Sequence, residues 1–173
     1  IERAHPNLPK GEEYQYWKQI MNNKKESKIY NSEQLSSFGG VGGGLVIIDY
    51  GAGNIKSIQF ASKRLGIEAI LTNDIDAIKS ADKVIFPGVG EASSAMKMLI
   101  ESGLHEVIPT LKQPVLGICL GMQLMCNFTE EGSTKGLGIF DVTVKRFSNN
   151  VKVPQMGWNV IKNLHSDLFK GIK

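Results

Sequence analysis

The stretch P-V-L-G-I-C-L-G-M-Q-L-M, residues 114–125, runs an apolar segment straight into a cysteine flanked by glycines. Residues 114–118 read as a short buried strand. The residues after Gly121 read as a helix reaching about Phe128. Between them, Gly117, Ile118, Cys119, Leu120 and Gly121 have the G-x-C-x-G form of a nucleophile elbow, with cysteine in place of serine. Such a turn passes from strand to helix with almost no loop, and the two glycines remove side chains that would collide there. The thiol is held clear of the backbone near the first turn of a helix, whose positive end favours a thiolate. Cysteine is also the strongest nucleophile available near neutral pH. A small buried cysteine in an ordinary tight turn fits the same five residues. Cys126, seven residues along the same expected helix, reads as a core residue.

Working outward, the same strand-then-helix grammar repeats. L-V-I-I-D (45–49), E-A-I-L-T (68–72) and K-V-I-F-P (83–87) are short apolar runs that read as buried strands. Ile55, Ile58, Ala61 and Leu65 fall on one face of a helix that Gly66 closes. Further helices are expected over 73–80, 91–101 and 104–112. Strands alternating with helices predict an α/β fold: a flavodoxin-like, open and mostly parallel sheet with helices on both faces. Beyond the elbow, residues 137–147, 151–154 and 158–163 read as short strands.

In an open parallel sheet, ligands gather at the carboxyl ends of the strands. Three glycine turns fall there: 51–53, 88–90 and 117–121. The P-G-V-G turn (87–90) leaves backbone amides free, which is what the oxyanion of an acyl-transfer intermediate needs. By itself it is equally an ordinary strand-to-helix turn. The D-Y-G-A-G-N turn (49–54) lacks the G-x-G-x-x-G spacing of a dinucleotide site.

Composition narrows the class. The chain has 173 residues, 42% hydrophobic, with a net charge of +3 and no dense basic run. This argues against nucleic acid as a partner. No apolar stretch approaches the roughly 20 residues of a membrane span, and the first residues lack a secretory apolar centre. Two cysteines make no disulfide framework and suit a reducing, cytoplasmic setting. Nothing in the pattern calls for a metal or cofactor. Residues 1–38 are polar, with an expected helix over 12–25, and G-G-V-G-G-G (39–44) reads as a linker. Residues 1–44 are thus a separate segment, either a tail, a docking helix or the end of an upstream domain. Residues 45–173 form the α/β domain.

Taken together, V-I-I-D-Y-G-A-G-N, V-I-F-P-G-V-G-E-A, P-V-L-G-I-C-L-G-M-Q-L-M, E-E-G (130–132), G-L-G-I-F-D-V-T-V-K-R-F and V-P-Q-M-G-W-N resemble one family in content and order. That family is the glutaminase subunit of imidazole glycerol phosphate synthase, a class I glutamine amidotransferase. The resemblance covers about residues 45–173. It implies that Cys119 attacks the amide of glutamine, forms a thioester and releases ammonia. It implies that Gly88, Val89 and Gly90 bind glutamine and stabilise the oxyanion, with the Leu120 amide as second donor. Gln123 and Glu130 would contact glutamine. Asn54 and Trp158 would face a β/α-barrel cyclase subunit, in a heterodimer that channels ammonia into histidine biosynthesis.

The family's general base is a histidine followed two residues later by glutamate. His5, His105 and His165 are the histidines present, and none stands in that pattern. The expectation is a chain lacking its base, with the missing part deleted or supplied by another chain. A paralogous glutaminase serving a sugar-modifying synthase and a catalytically dead assembly subunit are the alternatives.

Overall fold

A computed structural model describes residues 43–154, 157–160, 162 and 163. The helix expected over 12–25, along with His5 and His165, lies outside them.

Four strands form a parallel sheet in the order β2-β1-β3-β4. They are β1 (Gly43–Ile48), β2 (Ala69–Thr72), β3 (Ala81–Phe86) and β4 (Val115–Gly117). β1 sits between β2 and β3 with Val46 opposite both Ile70 and Val84. Val46, Ile47 and Ile48 are wholly buried, as a central strand covered on both faces requires. Because side chains alternate along a strand, Val46 and Ile48 point into one core and Ile47 into another. The larger core gathers Val84, Phe86, Leu99, Leu104, Leu120 and Leu124. The smaller joins Ile47, Leu71 and Ile85 to Ile55, Ile58 and Ile118. Helices therefore lie on both faces, as expected. The first strand begins at Gly43, inside the glycine-rich stretch read as a linker.

The helices follow their local signals. α1 (Ile55–Arg64) lays Ile55 and Ile58 on the smaller core. α2 (Ile75–Ser80) is capped by Asp74, whose carboxylate accepts from the Ala77 amide at 2.7 Å. α3 (Ala92–Glu101) buries Ala92, Ala95, Met96 and Leu99. The helix expected over 104–112 is shorter: α4 (Leu104–Val107) tightens into a 3₁₀ turn at Ile108–Thr110.

The largest departure follows the elbow. α5 spans only Leu120–Leu124, and β5 (Cys126–Thr129) begins at once. The expected continuation to Phe128 fails because other backbone takes the carbonyls a helix would use. Leu137 donates to the Leu124 carbonyl at 2.7 Å, and Ile139 and Phe140 donate to that of Met125 at 2.8 and 3.0 Å. Cys126 is buried as expected, but on a strand. β5 pairs with β6 (Thr134–Lys135) and β7 (Phe140–Val144) in a second sheet, order β6-β5-β7. Of the late strands expected, 137–147 yields β7. Residues 151–154 and the described part of 158–163 are bends and irregular chain.

Candidate active site

β3 and β4 run side by side and deliver two turns to the same end of the sheet. At the end of β4, the Ile118 amide donates to the Phe86 carbonyl at 3.0 Å, so the elbow starts hydrogen-bonded to the neighbouring strand. Cys119 then takes φ 54° and ψ −119°. A left-handed φ in a non-glycine residue costs about 1–3 kcal/mol and persists only where surroundings enforce it. Here the enforcement is visible. The Gly121 amide returns to the Ile118 carbonyl at 3.0 Å, and the Gln123 amide takes the Cys119 carbonyl at 3.2 Å. The thiol is left exposed while Leu120 beside it is 2% exposed.

Glycine is required at three points, and steric contact explains each. A Cβ on Gly117 would lie 2.7 Å from Met122 Cα, and one on Gly121 would collide with the Phe86 carbonyl oxygen. A Cβ on Gly88 would lie 2.5 Å from the Gly121 nitrogen and 2.9 Å from Leu120 Cβ. The turn after β3 and the elbow after β4 therefore touch backbone to backbone. No side chain fits between them.

The amides of Gly88, Val89 and Gly90 have no acceptor among the described residues, nor does that of Leu120. Pro87 and Gly88 are buried, whereas Val89 and Gly90 are open to solvent. The sequence reading missed the residue that holds this turn from below. Tyr50, 5% exposed, donates its hydroxyl to the Pro87 carbonyl at 2.8 Å, with its ring 5.5 Å from that of Phe86. Burial, and secondarily negative charge at Cys119, pushes its phenol up to about 12. Tyrosine inside D-Y-G-A-G-N was the available signal, but its partner lies 37 residues away.

The remaining predicted residues are distributed around these turns. Gln123, half-buried, sits one helical turn after Cys119. Glu130 is engaged: its Oε2 accepts from the Arg146 amide at 2.7 Å and its own amide donates to Val144 at 2.9 Å, fastening the end of β7. Glu131 has no such side-chain tie among the described residues, and its amide is fixed by the Thr129 hydroxyl at 3.2 Å. This E-E-G turn abuts the start of α3, since a Cβ on Gly132 would lie 2.7 Å from Glu91 Oε1. Asn54 is exposed at the entry to α1, and Trp158 is 98% exposed. His105 lies on α4 with Nε2 3.8 Å from a Glu106 carboxylate oxygen, and its Nδ1 is buried without a partner. Among the described residues, no three His, Cys, Asp or Glu side chains are grouped to hold a metal. No described helix is long and apolar enough to cross a membrane.

The parallel sheet thus presents a strained cysteine beside free backbone amides at one end. The sequence profile of the family Glutamine amidotransferase class-I matches residues 46–173, and the chain belongs to that family. A solved structure described as "Crystal structure of glutamine amidotransferase" shares the fold, with a TM-score of 0.51 and 24% identity over 62% of this chain and 57% of that one. Closer in sequence is the protein called imidazole glycerol phosphate synthase subunit HisH from Bacteroides fragilis (strain YCH46). It is 60% identical over 130 residues, covering 73% of this chain and 66% of its own length. The protein of the same name from Haemophilus influenzae (strain ATCC 51907) is 48% identical over 130 residues, 74% of this chain and 65% of its own. The chain thus spans just under two thirds of the length of these relatives.

Proposed function

We propose that this chain carries the nucleophile of a glutaminase that supplies ammonia to imidazole glycerol phosphate synthesis. The observation that carries the reading is Cys119 at φ 54°, set against the free amides of residues 88–90. The Cys119 sulfur attacks the side-chain amide carbon of glutamine. The carbonyl oxygen becomes an oxyanion, which the Leu120 amide and the amides of the 88–90 turn receive. As the oxyanion collapses, the C–N bond breaks, the nitrogen takes a proton and ammonia departs, leaving a γ-glutamyl thioester. Water then attacks the thioester, releasing glutamate and restoring the thiol. In this reading the proton acceptor is an imidazole from outside the described residues, since His105 does not stand in the family's His-x-Glu pattern. No cofactor or metal takes part.

Gln123 holds the glutamine from α5. Of the two carboxylates in the E-E-G turn, Glu131 has its side chain free for the substrate ammonium, while Glu130 supports β7. Asn54 and Trp158 face a β/α-barrel cyclase subunit in a cytoplasmic heterodimer, with the amidotransferase domain beginning at β1, two residues before the expected Leu45. The identity of the relatives supports that partner and that acceptor.

The test is ammonia release from glutamine by the full-length protein assembled with the cyclase. Cys119→Ala should lower turnover by more than about 10³-fold, and Cys126→Ala should leave it close to wild type. Turnover that survives Cys119→Ala would refute the reading. Growth of a histidine auxotroph on the full-length gene checks the acceptor separately.

A further inference from the structure

We propose that the Tyr50 hydroxyl is a positioning group for acyl transfer at Cys119, acting by locking the Pro87–Gly88 peptide of the donor turn. This rests on the glutaminase reading and deepens it. Three observations converge on Tyr50. Its hydroxyl donates to the Pro87 carbonyl at 2.8 Å, across 37 residues of chain. Its ring is clamped in the larger core against Phe86, the last residue of β3, whose carbonyl also receives the Ile118 amide that opens the elbow. Burial first, and charge at Cys119 second, push its phenol up, so the thiol lies near enough to act on it.

The consequence follows from peptide geometry. In a trans peptide the C=O and N–H of one unit point in opposite directions. A hydrogen bond that holds the Pro87 carbonyl toward Tyr50 therefore aims the Gly88 amide away from it. Glycine at 88 and 90 imposes little torsional preference of its own, so the plane of the Pro87–Gly88 unit needs an outside constraint. The backbone contact between Gly88 and Gly121 limits where the turn sits. The Tyr50 hydrogen bond limits how it is rotated. Donors preset at the position of the developing oxyanion favour the transition state over the ground state. Tyr50 touches neither substrate nor thiol in this role.

The experiment compares two reactions of the same sulfur in the full-length protein assembled with its cyclase. Acylation by glutamine, read as kcat/KM, develops an oxyanion. Alkylation by iodoacetamide forms the S–C bond as iodide leaves and develops none. Tyr50→Phe keeps the ring and removes the hydroxyl. It should lower kcat/KM about 10-fold or more, mainly in kcat, with the iodoacetamide rate within about 2-fold of wild type. An equal fall in both rates would show a general disturbance of the thiol and overturn the assignment, as would no fall in either. Should Tyr50→Phe fail to fold, Tyr50→4-fluorophenylalanine decides, since it keeps the ring and fills the hydroxyl position with a group that cannot donate. The same split between the two rates is expected, and an equal fall in both, or none in either, overturns the proposal. An active wild type matched by Tyr50→Phe sinks Tyr50 alone, whereas a wild type that never acylates sinks the glutaminase reading and the assignment together.

Discussion

β1 and β7 are both short apolar strands, yet Val46, Ile47 and Ile48 of β1 are wholly buried while Phe140 and Val142 of β7 are about half exposed. The difference shows which sheet bears the chemistry. Both turns that build the site spring from β3 and β4 of the parallel sheet, where Val84, Ile85 and Phe86 at the end of β3 are buried and β4 is hydrogen-bonded alongside them. The second sheet contributes the E-E-G turn at the rim, held by single hydrogen bonds such as that from the Arg146 amide to Glu130. Strain of the kind stored at Cys119 needs the first environment. A thinly covered sheet would relax it.

Four substitutions probe this contrast on the chain itself, each read as a shift in urea unfolding. The largest effect is expected where the two turns interlock. Gly121→Ala drives a Cβ into the Phe86 carbonyl oxygen, and because backbone must move, stability should fall by about 4 kcal/mol or the chain should not fold. A loss under about 1 kcal/mol would mean that the turns are not in contact. Ile48→Ala, deep in β1, should cost about 3 kcal/mol through lost burial and the cavity left behind.

Tyr50 gives a pH-dependent version of the same contrast. Its phenol ionises near 12 in the fold against about 10 when unfolded. The folded state therefore keeps the proton longer. The contribution is complete below pH 10 and is lost as pH rises toward 12, by up to about 3 kcal/mol. Unfolding at pH 9 and pH 11 should show wild type losing stability relative to Tyr50→Phe, and parallel losses would remove the claim that this phenol is buried neutral. At the small end, Val142→Thr on the open strand should stay within about 0.5 kcal/mol. A larger loss would show that β7 is packed more tightly than its exposure indicates.

How far the sequence could be read follows the same division. The four parallel strands announce themselves as short apolar runs, three of them ending in glycine turns, because a strand facing a core leaves little room for polar residues. Cys119 and its flanking glycines were legible for the same local reason. What escaped was non-local. M-Q-L-M-C-N-F is apolar enough to continue a helix, and its change to β5 depends on Leu137 and Ile139 capturing the Leu124 and Met125 carbonyls. Gly88 and Gly121 each read as a turn residue, but their contact comes from adjacent parallel strands. The tie between Glu130 and the Arg146 amide, sixteen residues on, has no local signal in the letters. Tyr50 reads as a turn-flanking aromatic until Pro87 is brought over it.

The account turns on Cys119 as the acyl-accepting atom, and trapping the intermediate tests that directly. Acid-quenching the full-length protein with its cyclase during glutamine turnover, then mapping peptides by mass spectrometry, should place one γ-glutamyl group on the peptide that carries Cys119. Ammonia release with the glutamyl group on Cys126, or with no acylated peptide at all, would contradict the account.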